Sequence, residues 1–345
     1  MDIGTTEQTG SNGRLVAVVV TYNRLDKLQT TLTRLLENAP AHLQAVVLVD
    51  NASTDGTEAW LATRADPRLV VERLAVNSGG AGGFRHGLRA AQERFDPDWF
   101  VVMDDDAHPA PEALATFHAV LRRDDTAAAA AVYFPDGRIC EMNRPSVNPF
   151  WRPRVFARTV LRGLRGKGRD GYHIPYASYE DISPLEIDLT SFVGLFLSRR
   201  MLIENGLPDS RLFLYGDDVI YTLRLRRSGF VILFEPGLRF EHDCSTFEND
   251  QRRVFSPIWK VYYSYRNGLI MYREASGLLL FWPLAAMAAV KWALAGRRYG
   301  AQRRCYNRLL RRALVDGLRG RATLKHQDVL ALAAADKEVM DKTCE

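Results

Sequence analysis

Along the first hundred residues, short apolar runs alternate with segments whose apolar positions recur at helical spacing. LVAVVV at 15–20 and AVVLV at 45–49 are continuous apolar runs of strand length. Such runs predict strands buried on both faces, as in a parallel sheet. LVVERL at 69–74 and WFVVM at 99–103 extend the series to four. Between them, 25–37 carries Leu25, Leu28, Leu32, Leu35 and Leu36 at helical intervals, and 57–64 and 83–94 suit helices. Four strand–helix alternations predict βαβ units, hence an α/β fold with a mostly parallel sheet flanked by helices. Further strands are expected at 126–134, 187–198 and 230–234, and helices at 199–206 and 218–228. Residues 135–186, rich in Pro, Gly and Arg, carry no clear period and are expected to form a mobile loop over the site. Beyond about residue 257 the pattern is helical. The expected organisation is a polar, disordered tail at 1–13, a main α/β domain at 14–256 and a helical region at 257–345.

The polar segments between these elements carry the candidate chemistry. TYNR follows the first strand, DNASTDG the second, NSGGAGG the third and DDD the fourth. Ligands of open α/β sheets bind beyond the carboxyl ends of the strands, so all four segments converge on one crevice. NSGGAGGF matches neither G-x-G-x-x-G nor G-x-x-x-x-G-K-[ST].

Composition is that of a soluble globular protein, with 47% hydrophobic and 25% charged residues among 345. The net charge of +5 is unevenly placed. Seven basic residues and no acid lie between Arg152 and Arg169, and eleven against Asp316 alone between Lys291 and Lys325. Such blocks call for an anionic partner. They lack the aromatic interleaving of single-strand binders, which argues against nucleic acid. The four cysteines, Cys140, Cys244, Cys305 and Cys344, show no C-x-x-C spacing. They read as reduced cytoplasmic thiols, neither a disulfide frame nor a zinc site. Residues 1–13 have no basic n-region or apolar h-region, so no secretory signal is expected there.

In an extended segment Asp104 and Asp106 share a face and Asp105 points the other way. Hard carboxylate oxygens at a strand end suit Mg²⁺ or Mn²⁺, the alternative being an acidic turn capping a helix. Asp50 either accepts the imide N–H of a uracil or closes an Asx-turn. Arg24 either balances a diphosphate or lies free on the surface. Asp217 and Asp218 precede a helix, as a capping pair or as the seat of a general base for an attacking hydroxyl. His242 either completes a metal site or is structural.

Taken in order, VAVVVTYNR, VLVDNASTDGT, VVMDDDA and SFVGLFLSRRMLIENGLPDSRLFLYGDDVIYTLRLRRSGFVILFEPGLRFEH resemble the GT-A, family 2 inverting glycosyltransferases. The resemblance covers roughly 14–270. NSGGAGGF followed by a triple Asp is similar to the galactofuranosyltransferases of bacterial galactan synthesis. The resemblance implies UDP-galactofuranose as donor, with a dTDP-rhamnose or UDP-hexopyranose transferase as the alternative. It implies Asp104, Asp106 and His242 as ligands of Mn²⁺ or Mg²⁺, and Asp218 as base. It places Thr21, Tyr22, Arg24, Asp50, Asn77, Gly79, Gly80, Gly82, Gly83, Asp104 and Asp105 at the donor. It places Asp217, Phe192, Gly194 and Tyr215 at the acceptor. The glycines would let the backbone approach the donor. Ile220 departs from the branch, which often has an acid there. The chain is also shorter than the polymerising galactan enzyme and shows no N-terminal β-sandwich pattern, which suits single-linkage transfer.

The run GLLLFWPLAAMAAV at 277–290 is apolar for 14 positions before Lys291. A span needs ~20, so an interfacial or re-entrant segment is expected, kinked at Pro283. With Trp282, Trp292 and the basic stretch after it, this suits the anionic inner face of a cell membrane. A polyprenyl-diphosphate-linked saccharide acceptor would lie there.

Overall fold

The computed structural model describes residues 13–244 and 254–335; all but Gly13 of the expected tail, and Cys344, lie outside them. Among these residues one sheet of nine strands runs through the main domain: β1 (Leu15–Thr21), β2 (Ala45–Asp50), β3 (Leu69–Arg73), β4 (Trp99–Asp104), β5 (Ala107–Pro109), β6 (Thr126–Tyr133), β7 (Leu185–Ile187), β8 (Leu195–Ser198) and β9 (Val231–His242). The order is β3-β2-β1-β4-β8-β6-β9-β5, with β7 on β9.

β1 sits between β2 and β4, parallel to both. Its residues alternate between two cores, Val16, Val18 and Val20 in one and Leu15, Ala17 and Val19 in the other. That double burial is why the strand reads as an unbroken apolar run. α1 (Leu25–Leu36) covers one face through Leu28, Leu32 and Leu35. α3 (Gly79–Phe95) covers the other through Phe84, Leu88 and Ala91. α2 (Thr57–Leu61), α4 (Ala113–Ala119) and α6 (Arg199–Glu204) complete the flanks.

Past β4 the sheet departs from the mostly parallel expectation. β8 is antiparallel to β4 and β6, and β5 and β7 are antiparallel to β9. The sheet is therefore mixed. β9 also outruns the strand expected at 230–234. The Pro236-Gly237 pair reads as a turn but is absorbed as a bulge, where the register against β6 shifts between Ala130 and Ala131. The strand continues to His242, which stands opposite Ala107.

Residues 135–186 are not one loop. They contain α5 (Pro153–Gly163), short 3₁₀ turns and β7. The buried Asp188 ties the segment down, accepting from the Asn148 amide (2.7 Å) and pairing with Arg226 (3.0 Å).

The C-terminal region contains α8 (Lys260–Ala295), α9 (Arg303–Leu318) and α10 (His326–Ala334). The helical run Lys260–Leu318 is long and apolar enough, by length and composition, to cross a membrane. It is not one straight rod. At Gly277 the backbone turns to φ 69°, ψ 176°. Beyond it the chain folds back, because Trp292 stacks on Tyr265 at 4.5 Å and Phe281 meets Arg273. α9 returns along the first arm, with Tyr262 donating to Asp316 (2.8 Å). The second arm, 278–295, leaves one apolar side open.

Candidate active site

The carboxyl ends of β1, β2 and β4 meet at one crevice, and β9 adds His242 from across β5. Arg24 ion-pairs with Asp106 and lies 3.6 Å from Asp105. Asp106 Oδ1 is 3.1 Å from His242 Nε2. Asp105 turns the other way, accepting from Thr21 Oγ1 (2.7 Å) and the Tyr22 amide (3.3 Å). Asp104 shares its field with Asp106, His242 and Asp218.

Asp104 and Asp105 are short of positive charge; burial opposes the ionised form of Asp106 as well, but the hydrogen bond and charge of His242 and the charge of Arg24 prevail and lower it. Burial, then the charge of Asp106, raises Asp104 to about 6. Burial raises Asp105 to about 7 against the pull of Arg24. Burial opposes the His242 imidazolium, but hydrogen bonding to Asp106 and Cys140 and the Asp106 charge prevail and lift it to about 10. Buried hard carboxylate oxygens beside one imidazole nitrogen are a donor set that fits a divalent ion such as Mg²⁺ or Mn²⁺.

The second acidic pair opens α7 (Asp217–Arg227) after Gly216 at φ 75°. Burial raises Asp218 to about 6, and burial with the charge of Asp218 raises Asp217 well above the usual range. Asp218 Oδ1 accepts from the Val219 amide at 2.7 Å. Just before the pair, Phe213 (φ 65°) and Tyr215 (φ 70°) hold left-handed backbone, which is costly for bulky residues. Two residues of α8 hold that loop. Asn267 Nδ2 donates to the carbonyls of Leu212 (3.0 Å), Leu214 (2.9 Å) and Tyr215 (2.8 Å). The fully buried Arg266 donates to Arg211 and Leu212, between the rings of Tyr262 and Tyr263. Sequence reasoning missed this clamp, since Arg-Asn in a helix has no signature.

Asp50 closes the turn and keeps one oxygen free of hydrogen bonds. Its Oδ1 closes the turn by accepting from the Ser53 amide at 2.8 Å. Its Oδ2 is buried without a hydrogen bond, 3.5 Å from Arg73 Nη1. Asn77 accepts from the Gly79 amide at 2.8 Å. Lys260 was also missed; burial and the nearby Arg24 charge lower its pKa, which puts a second cation near the crevice.

The glycine stretch is not a loop. It forms the first turns of α3, four residues earlier than the helix expected from 83, and its glycines mostly serve packing. A Cβ on Gly79 would lie 2.0 Å from the Phe213 carbonyl oxygen. One on Gly82 would strike Ser78 Oγ at 2.4 Å, and one on Gly83 would strike Val20 Cγ1 at 2.5 Å. Gly80 alone of the four faces open space. Two acceptor-side expectations are likewise corrected. Phe192 is 3% exposed, edge-on to Phe84 and Tyr221 in the core. Gly194 (φ 67°) has no room for a Cβ, which would lie 2.6 Å from that of Ala130. Tyr215 and Asp217 remain partly exposed at the crevice.

The fold is the GT-A architecture of glycosyltransferases. The family model for glycosyl transferase family 2 matches residues 16–176, so this part of the chain is a family 2 glycosyltransferase domain. Among curated proteins, the chain is 31% identical over 150 residues to the undecaprenyl-phosphate mannosyltransferase of Micrococcus luteus. That match covers 43% of this chain and 60% of the relative, less than two thirds of its length. It is 29% identical to galactofuranosyltransferase GlfT1 of Mycolicibacterium smegmatis, over 67% of this chain and 72% of the relative. Solved structures with the same fold include GalNAc-T7 with UDP, GalNAc and Mn²⁺ (TM-score 0.52, 13% identity, 76% of this chain and 48% of that one). Another is the mannosyltransferase PcManGT of Pyrobaculum calidifontis with GDP-Man and Mn²⁺ (TM-score 0.51, 18% identity, 96% and 81%).

Proposed function

We propose that the chain transfers galactofuranose from UDP-galactofuranose to a hydroxyl of a lipid-linked saccharide, with inversion, at a membrane surface. The observation that carries transfer is the meeting of Arg24, Asp104, Asp106, His242 and Asp218 in one crevice. The similarity to galactofuranosyltransferases over two thirds of the chain favours the donor sugar. The undecaprenyl-phosphate substrate in another relative's name favours a lipid-linked acceptor.

Asp104, Asp106 and His242 would hold a divalent ion, which when bound supplies charge stabilisation to a nucleotide diphosphate. Arg24 adds a fixed cation toward the same oxygens, and Asp50 Oδ2 offers an acceptor for a uracil imide. Asp218, ionised above about pH 6, takes the proton of the acceptor hydroxyl as that oxygen attacks the anomeric carbon. UDP leaves from the opposite face in the same displacement. Tyr215 and Asp217 border the acceptor side. We place the boundary of the catalytic domain near residue 256.

Two apolar stripes support a lipid surface. Leu279 (89% exposed), Trp282, Met287, Val290 and Leu294 line the open side of the second α8 arm, with Lys291, Arg297 and Arg298 at its end. Phe156, Val160, Leu161 and Leu164 (82% exposed) do the same on basic α5. Asn148, just before α5, donates to the Ala275 carbonyl at 2.9 Å and so holds α5 beside the Gly277 turn. Apolar faces edged by arginine suit an anionic interface, and a hairpin arm lies in it without crossing.

The test is UDP or dTDP release with Mn²⁺ from UDP-galactofuranose, UDP-galactopyranose, UDP-glucose and dTDP-rhamnose, each with and without a synthetic lipid-diphosphate disaccharide. Acceptor-dependent turnover of UDP-galactofuranose alone is expected. Turnover of another donor overturns the sugar assignment, and no turnover of any overturns the reaction.

A further inference from the structure

Cys140 and Cys244 lie 104 positions apart in sequence, yet their Sγ atoms are 3.9 Å apart. Cys140 Sγ is also 4.0 Å from His242 Nδ1, the ring nitrogen facing away from Asp106. The three donor atoms lie within 4.8 Å of one another, and all three residues are buried. A tetrahedral zinc with Zn–S of ~2.3 Å and Zn–N of ~2.0 Å separates two sulfurs by about 3.8 Å and a sulfur and nitrogen by about 3.6 Å. The Cys140–Cys244 and Cys140–His242 separations lie within about 0.4 Å of these values, and the Cys244–His242 separation is no more than 4.8 Å. A fourth donor is at hand. Asn143 Oδ1 accepts from Cys140 Sγ (2.9 Å) and lies 2.7 Å from His242 Nδ1, while its Nδ2 donates to Ser191 Oγ (2.8 Å). The carbonyl oxygen is therefore aimed at the Cys140 sulfur and the ring.

We propose that Cys140, Cys244 and His242 Nδ1, with Asn143 Oδ1, form a second metal site selective for a thiophilic ion such as Zn²⁺, back to back with the carboxylate site. Soft thiolates and hard carboxylates favour different ions, so the two sites sort metals by ligand chemistry. Binding releases the two thiol protons and requires Nδ1 without a proton. It also leaves the remaining ring proton on Nε2, donated to Asp106. The imidazole then cannot ligate an ion on the carboxylate side. Zinc at the thiols therefore opposes Mn²⁺ at Asp104 and Asp106, and by linkage the reverse holds. This antagonism rests on the reading of His242 as a ligand of the transfer site; the thiolate site does not.

Co²⁺ titration of the full reduced chain tests the site without any sugar. Cobalt on two thiolates in tetrahedral geometry absorbs intensely in the visible, whereas cobalt on carboxylates and water does not. The expected result is an intense band saturating at one equivalent, lost in Cys140→Ser and Cys244→Ser and kept in Asp104→Asn and Cys305→Ser. Absence of the band, or its survival in both serine variants at positions 140 and 244, overturns the proposal. X-ray absorption of the zinc-loaded wild-type chain guards against misfolded variants. Two sulfur neighbours are expected, and a shell of oxygen and nitrogen alone overturns the site. Mn²⁺ binding followed by electron paramagnetic resonance should weaken about tenfold or more after zinc loading. Unchanged Mn²⁺ affinity overturns the shared imidazole and leaves the cobalt and absorption results to decide the thiolate site.

Discussion

Asp218 is the residue on which the proposed chemistry turns. Its carboxyl is raised to about 6 by burial, so it is ionised at neutral pH while remaining a stronger base than an ordinary aspartate. Asp218→Asn should lower turnover by roughly 10²–10⁴-fold, the usual contribution of a general base. UDP binding, measured by calorimetry, should persist, because a general base acts on the acceptor hydroxyl and not on the nucleotide. The pH dependence has a defined sign. A base must be deprotonated, so kcat/KM should fall on the acid side of about pH 6 and be flat above it until another group titrates. An acid limb near pH 4 would show that an unperturbed carboxylate does the work. The triple aspartate was legible because a strand ends in it. Its partition was not legible from strand alternation, because β4 ends at Asp104 and a turn at 105–106 sends Asp105 to Thr21 and Asp106 to His242.

At the scale of elements, the glycines of α3 are the clearest test of how packing and function divide. Gly83 lies against Val20 of β1, so Gly83→Val drives side chains into each other and should destabilise by about 1–3 kcal/mol or more. Gly80→Val meets open space and should fold normally. If the donor passes Gly80, that variant alone should lose UDP-sugar affinity while keeping its melting temperature. Normal affinity would show that the donor does not pass Gly80 and leave packing as the role of Gly79, Gly82 and Gly83. The clamp from α8 is a second element-scale device. Asn267→Ala takes the side-chain donor from the Leu214 and Tyr215 carbonyls of a left-handed loop, leaving Leu212 to Arg266. It should reduce kcat for transfer, at least tenfold if the loop costs ~1.4 kcal/mol to hold, with little change in donor KM. A larger effect on donor KM than on kcat would place the loop on the wrong side of the crevice.

For the whole molecule, the helical region couples the catalytic loop to the proposed lipid face. The first arm of α8 holds residues 211–215, and the second turns back at Gly277 to display its apolar stripe. Replacing Leu279 and Met287 with Glu should leave UDP release from soluble acceptors intact. It should greatly reduce flotation with vesicles containing anionic lipid. Binding of the wild-type chain should weaken as salt rises, because the Arg-rich rims act through screened charge. Flotation unaffected by both substitutions would show that this stripe is not the contact.

What the sequence determined by itself follows from local physics. Continuous apolar runs placed β1, β2 and β4, helical spacing placed α1 and α7, and strand ends marked the acids and Arg24 of the crevice. These are short-range consequences of burial and period, readable in a window of a dozen residues. The tertiary structure alone decided what depends on contacts between distant segments. The Pro236-Gly237 bulge carries β9 on to His242. The glycines of α3 answer to Val20 and Phe213. Phe192 belongs to the core, and Arg266 and Asn267 reach back some 55 positions to a strained loop. Cys140 and Cys244 meet only because β9 closes against the segment after β6. A chain's periodicity records which side of an element is buried, but not which other element buries it.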